Sequence, residues 1–137
     1  MELKDLAKYN VTRAVMRNGW VSVWLDGRLL PRQKVDFRKH LRFVADWHRK
    51  KPKIFIDDSM AAIDRRWVKF VAVHEIVEKY FSQKYGFTAE AAHKPTTIIE
   101  HKYIRRLHGE TEVRRYEAFV KFLYDWELNQ NHKRGRA

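Results

Sequence analysis

The chain of 137 residues has no cysteine. That absence removes disulfides, thiolate nucleophiles and thiolate metal ligands together, so any metal ion must be held by histidine and carboxylate side chains. Long apolar runs are missing too: none approaches the roughly 20 residues of a membrane-spanning helix, and the opening MELKDLAKYN lacks the apolar centre of a secretory signal. The expectation is a soluble, cytoplasmic protein that does not enter membranes. There is no glycine-rich nucleotide loop and no serine nucleophile elbow, which leaves the enzyme classes built on them with little support. Internal repeats, low-complexity stretches and linkers are likewise absent.

What is present is enough apolar material to fold. Hydrophobic residues make up 45% of the chain and aromatics 14%, well above the aromatic-poor profile of disordered segments. The length fits one domain. Residues 1–130 are expected to form a single α+β domain, and residues 131–137 (NHKRGRA) a flexible basic tail.

The formal charge of +12 is unevenly spread. Residues 28–53 hold ten Lys and Arg against two Asp, a local excess of +8, whereas residues 54–100 hold six basic and seven acidic side chains. The one stretch that is not basic therefore lies between basic ones.

Residues 3–17 place Leu3, Leu6, Val11, Ala14 and Val15 at helical spacing before an Asn18-Gly19 stop or turn. Residues 20–30 alternate around an Asp-Gly pair and read as a β-hairpin. Phe37, Leu41, Val44 and Trp47 suggest an amphipathic helix over residues 35–49 with a strongly basic outer face. KIFID, residues 53–57, reads as a strand. Capping groups at Asp57, Asp58 and Ser59 precede a long helix over residues 63–84 that stops near Gly86. Thr88 can cap a further helix that Pro95 kinks or restarts, and a final helix spans residues 111–128. The predicted architecture is α+β: a small sheet of hairpin plus one strand, packed on about five helices.

On a helical wheel at about 100° per residue, Trp67, Phe70, Val71, Val77, Phe81 and Tyr85 form one apolar arc. His74 lies at its middle and Glu78 inside it. A carboxylate aimed into a core is costly unless paired, protonated or bound to metal. Glu75 falls at the boundary between that arc and the polar face. The next segment repeats the anomaly: Glu100 shares an apolar face with Ile104 and Leu107, and His93, seven residues earlier, faces the same way if the helix continues through Pro95. Two helices each turning a His and a Glu towards the core suit a buried zinc ion with His74, Glu78, His93 and Glu100 as ligands.

The segment VAVHEIVEKY resembles the zincin-like metallopeptidase signature, in which a helix presents His-Glu-x-x-His; here the fifth position is Glu78. Small zincin-like proteins, including ones from prokaryotic viruses and mobile elements, look similar, with an isoleucine-aspartate strand before the helix as in Ile56-Asp57. The resemblance covers residues 54–100, about a third of the chain. It implies a metal-dependent hydrolase of peptide or amide bonds, with His74 a zinc ligand and Glu75 the general base, acting on a peptide or protein substrate; Glu78 is its departure from the pattern.

Blander alternatives stand beside this. His74 and Glu78 can form a buried hydrogen-bonded pair with Arg65, Arg66 or a tyrosine, His93 can be a surface residue, and Glu100 can pair with an arginine. His40, His48, His101, His108 and His132 sit among basic residues and read as solvated. The competing function is a nucleic-acid-binding protein that contacts phosphates through Arg38, Lys39, Arg42, Arg49 and Lys50. Tryptophans stacking on single-stranded bases belong to that alternative, although tryptophans at these spacings are more commonly core.

Overall fold

The computed structural model describes residues 1–39, 41 and 44–135, except the side chains of residues 127–135. A 3-10 helix, Leu3–Lys8, leads into strands β1 (Val11–Arg17), β2 (Trp20–Leu25), β3 (Arg28–Leu29), β4 (Gln33–Arg38), β5 (Ala45–Trp47) and β6 (Lys53–Asp57). Helices α1 (Ser59–Ile63), α2 (Arg65–Tyr85), α3 (Ala89–His108) and α4 (Glu110–Gly135) follow. The fold is α+β, with a six-stranded mixed sheet in the order β1-β2-β4-β6-β5 and β3 paired to β2.

Two tight hairpins begin the sheet. Asn18 (φ 53°) with Gly19 (φ 78°), and Asp26 (φ 48°) with Gly27 (φ 78°), supply the paired positive φ angles of two-residue turns whose twist matches the flanking strands. Strands β3 and β4 share the second edge of β2, since Leu29 pairs with Trp24 and Lys34 with Trp20. β4 then runs parallel to β6, and β5 closes the far edge antiparallel to β6.

Residues 11–17 form a strand where helical spacing predicted a helix. A bulge between Val11 and Arg13 interrupts the two-residue alternation. Val11 and Ala14 consequently lie opposite the inward residues Leu25 and Val23, and this spacing of three imitates a helix. The helix predicted over residues 35–49 is also absent among the described residues. Val35 and Phe37 are alternate positions of β4, in register with Ile54 and Ile56 of β6, and Trp47 belongs to β5 beyond a chain reversal. The sheet is accordingly larger than a hairpin plus one strand.

Helix α2 starts at Arg65 because Asp64 accepts a hydrogen bond from the Arg66 backbone N–H, at 3.0 Å. It ends at Gly86, whose φ of 77° suits a residue without Cβ. Asp57 accepts from the backbone and hydroxyl of Ser59 at 3.0 and 2.6 Å, fixing the turn from β6 into α1. Thr88 caps α3 through Ala91, and α3 passes through Pro95 without ending. α4 continues to Gly135, past the predicted end at residue 128 and into the stretch expected to be a tail; residues 136 and 137 lie outside the described residues.

All the helices that touch the sheet lie on one face of it. Val21, Val23, Leu25, Ile54 and Ile56 point from the strands into a core completed by Phe70, Val73, Ile76, Val77 and Phe81 of α2. α3 and α4 cover the other side, so α2 is enclosed almost all round, and Trp67 to Lys79 are buried apart from the half-buried Lys69. Among the described residues no helix is long and apolar enough to cross a membrane.

Candidate metal centre

Enclosure of α2 makes its polar residues conspicuous. His74, Glu75 and Glu78 are 6%, 7% and 7% exposed, and Glu100 on α3 is 5% exposed. Because α3 is continuous through Pro95, His93 and Glu100 project from one of its faces onto α2, as the wheel predicts.

Three donor atoms converge. His74 Nε2 lies 3.0 Å from Glu78 Oε2 and 3.2 Å from His93 Nδ1, and His93 Nδ1 lies 3.1 Å from Glu78 Oε2. Around a tetrahedral zinc ion with ligands at 2.0–2.1 Å, donors sit about 3.3–3.4 Å apart. The triangle is therefore nearly one face of such a tetrahedron, and an ion about 1 Å above its plane would reach all three atoms at bonding distance. Two imidazoles and one carboxylate are also a suitable donor chemistry for a borderline divalent cation. This group could hold a metal ion.

Glu100 occupies a different position from the one the sequence suggests. Its Oε1 faces Nδ1 of His74 at 3.4 Å, on the opposite edge of the ring from Glu78 and His93. It lies outside the group of His74, Glu78 and His93 that could hold a metal ion, and beside His74. With a metal on Nε2, a carboxylate there would hold the remaining proton on Nδ1, the arrangement by which outer acids orient metal-binding histidines. The Tyr116 hydroxyl of α4 donates to Glu100 Oε2 at 2.6 Å, which fixes the acid. Trp47 Nε1 of β5 donates to Glu78 Oε1 at 3.1 Å, leaving Oε2 to face the histidines. His101, read as solvated, has 18% of its side chain exposed and lies 3.8 Å from Glu100.

Comparison of the chain with family models, with curated proteins and with solved structures gives no match.

Burial opposes the charged form of His74, but Glu100, Glu78 and Glu75 outweigh it and hold the imidazole well above its usual value. Burial likewise opposes ionisation of Glu78, yet the hydrogen bonds from His74, His93 and Trp47 take its carboxyl down to about 2. Glu75 goes the other way: burial, reinforced by Glu78, Asp46 and Glu100 and opposed by His74, pushes it up to about 8. The cluster is an acid-rich site that draws in positive charge, which a proton or a divalent cation can supply.

Trp47 and Tyr116 were not distinguished from ordinary core residues in the sequence. The available signal was that a buried indole N–H or phenol must find a partner, but nothing in the sequence says which. The residues proposed for phosphate contact do not share a helix face. Arg38 is engaged by Asp36 through two hydrogen bonds, of 3.2 and 3.0 Å, and covers Phe55. Lys39 follows β4, whereas Arg49 and Lys50 lie in the turn between β5 and β6. His48 holds that turn by accepting from the backbone of Lys50 and Lys51. Arg42, His40 and the side chain of His132 lie outside the described residues.

Proposed function

We propose that the protein is a zinc-dependent, zincin-like hydrolase of peptide or amide bonds, with His74, Glu78 and His93 as ligands and Glu75 as general base. The observation that carries this reading is the triangle of donor atoms with edges of 3.0, 3.1 and 3.2 Å. Its ligand set of two histidines and one glutamate is the one that many zinc hydrolases use. Relative to the His-Glu-x-x-His signature, the residue types at the second and third ligand positions are interchanged, and the charge of the set is unchanged.

When bound, zinc supplies Lewis acidity, polarising a carbonyl and making water acidic near neutral pH. Glu100 and Tyr116 keep His74 in one tautomer and orientation, and Trp47 orients Glu78. The carboxyl of Glu75, at about 8 in the cluster without a cation, becomes the ionised base only when a bound divalent cation offsets its burial and its acidic neighbours; in that form it would accept the proton of the attacking water and return it to the leaving amine. His93 has 65% of its side chain exposed, so the centre opens to solvent on that side, where an extended peptide can approach.

The test begins with elemental analysis of protein purified without a histidine tag, expected to give about one zinc per chain. A peptide-library and casein screen then compares the parent with Glu75→Gln. The variant should keep zinc and fold while losing about 10²- to 10⁴-fold in hydrolysis. Absence of zinc binding ends the proposal. Zinc binding with no cleavage leaves a structural centre, and full activity in Glu75→Gln rules out the base assigned here.

A further inference from the structure

The face of the sheet turned away from the helices is covered by no described element. On β2 the residues pointing that way are Trp20, Ser22 and Trp24, alternating with the buried Val21, Val23 and Leu25. Register extends the face onto β1, where Arg13 lies opposite Trp24, Val15 opposite Ser22 and Arg17 opposite Trp20. On the other side Lys34 of β4 lies opposite Trp20.

The result is an ordered alternation of cations and indoles. The Arg13 guanidinium sits 4.8 Å from the Trp24 ring centre, and that of Arg32 4.5 Å from Trp20. Lys34 Nζ is 5.9 Å from the Trp20 ring. Between the two tryptophans is a concavity of about 270 Å³ lined by Arg13, Arg17, Trp20, Ser22, Trp24 and Arg32. That is near the lower end of the roughly 300–1,000 Å³ of small-molecule sites, enough for a planar base. Arg13, Arg17, Arg32 and Lys34 have no ion-pair partner among the described residues. Asp36, the acid on this face of β4, is already paired with Arg38 and Lys53 at 3.0 and 3.5 Å.

The geometry points to a binding face for single-stranded nucleic acid, in which bases stack on Trp20 and Trp24 in place of the Arg32 and Arg13 guanidiniums that lie over them, and those side chains swing aside to contact phosphates together with Arg17 and Lys34. Two indoles on one strand, four residues apart, make platforms about 13 Å from each other. Stacking on them requires unpaired bases, because in a duplex the base faces are already occupied. The free cations complement the phosphates, and the chain's charge of +12 attracts a polyanion from a distance. These residues lie across the sheet from the His74 centre and differ from the basic stretch at residues 38–50, so the two functions can be tested separately.

The experiment measures fluorescence anisotropy of a labelled 20-nucleotide pyrimidine oligonucleotide with the full chain, against a duplex of the same length, as salt is raised from about 50 to 200 mM. The single strand should bind more tightly. Trp20→Ala and Trp24→Ala should each weaken it roughly 5- to 100-fold, with Trp20→Phe and Trp24→Phe restoring most of the loss because phenyl rings still stack. Both Phe variants also guard against a folding defect. Arg13→Gln with Arg32→Gln should flatten the salt slope by about 1.4, at about 0.7 per phosphate on a single strand. Arg114→Gln with Lys121→Gln, which removes the same charge from α4, should change affinity far less. The proposal fails if the duplex binds equally well, if the α4 pair weakens binding as much as the sheet pair, if alanine at both tryptophans has no effect, or if nothing binds at the lowest salt.

Discussion

Replacing Glu100 by glutamine tests the layered construction of the proposed zinc centre more sharply than removing a ligand. Glutamine keeps the shape and one oxygen that can accept from His74 Nδ1, now 3.4 Å from Glu100 Oε1. It removes the negative charge and turns an amide towards Tyr116, which in the parent donates at 2.6 Å. Loss of an outer carboxylate behind a ligating histidine typically costs 10- to 100-fold in metal affinity. At a free zinc concentration 100 times the parent Kd, the parent gains about 2.7 kcal/mol from binding. Variants weakened 10- and 100-fold gain about 1.4 and 0.4 kcal/mol at that concentration.

The assay is zinc competition against a chelating dye, with thermal unfolding at fixed free zinc and the absorption spectrum of the cobalt-substituted protein. A positioning residue weakens binding within that range and leaves the tetrahedral cobalt spectrum in place. If Glu100 were itself a ligand, as the sequence suggests, the spectrum would change along with affinity. Parent affinity in Glu100→Gln would refute the role assigned to this acid. Tyr116→Phe, which removes one hydrogen bond from Glu100, should move affinity in the same direction by less than about tenfold.

His74→Ala should abolish both zinc retention, by elemental analysis, and the zinc-dependent rise in Tm, because the donor between Glu78 and His93 is gone. Asp64→Ala removes the cap of α2 and contacts to Arg66 and Arg115 at 2.9 and 2.8 Å, and should lower stability by about 1–2 kcal/mol in urea unfolding. The hydrogen bond from Arg66 is the main reason that the Asp64 carboxyl is held below its ordinary value. Its contribution is therefore present above the unfolded value of about 3.9 and is lost as pH falls through the lower folded one. Lys79→Met strands the buried Gln33 oxygen and the Lys51 carbonyl, which accept from Lys79 Nζ at 2.7 and 2.8 Å, and should cost about 1–3 kcal/mol. Adding Gln33→Leu should recover the share due to the Gln33 oxygen and leave that of the Lys51 carbonyl, and a double variant no better than the single one would show that Lys79 and Gln33 are not a coupled pair.

The elements legible in the sequence were those with local signals. Asn18-Gly19, Asp26-Gly27, Gly86 and Thr88 each mark an end by backbone chemistry, and the turns and long helices lie close to where those signals put them, whereas the capping groups expected at Asp57, Asp58 and Ser59 precede the short α1 and the cap of α2 is Asp64. β1 and β4 were missed because their spacing depends on partners distant in sequence. The bulge at Val11/Arg13 makes sense only opposite β2, and the strand positions of the buried Val35 and the exposed Phe37 only beside Ile54 and Ile56. Helical periodicity over a short window then wins by coincidence, as the amphipathic reading of residues 35–49 shows.

The same distinction applies within the candidate site. His74, Glu78, His93 and Glu100 stood out because each is a polar residue on an otherwise apolar helical face, an anomaly that one helix reveals without its neighbours. Their roles could not be separated in that way, since His93 and Glu100 are equivalent on a wheel and differ only in which edge of the His74 ring they meet. That edge is set by how α3 lies along α2: the His93 end meets Nε2 and the Glu100 end meets Nδ1. Trp47 reaches Glu78 from β5 and Tyr116 reaches Glu100 from α4, so the groups that orient the donors arrive from elements whose packing no local pattern encodes. An inward-facing acid thus marks a candidate site in a single sequence, whereas the division between the residues proposed to bind and those proposed to position them belongs to the tertiary fold.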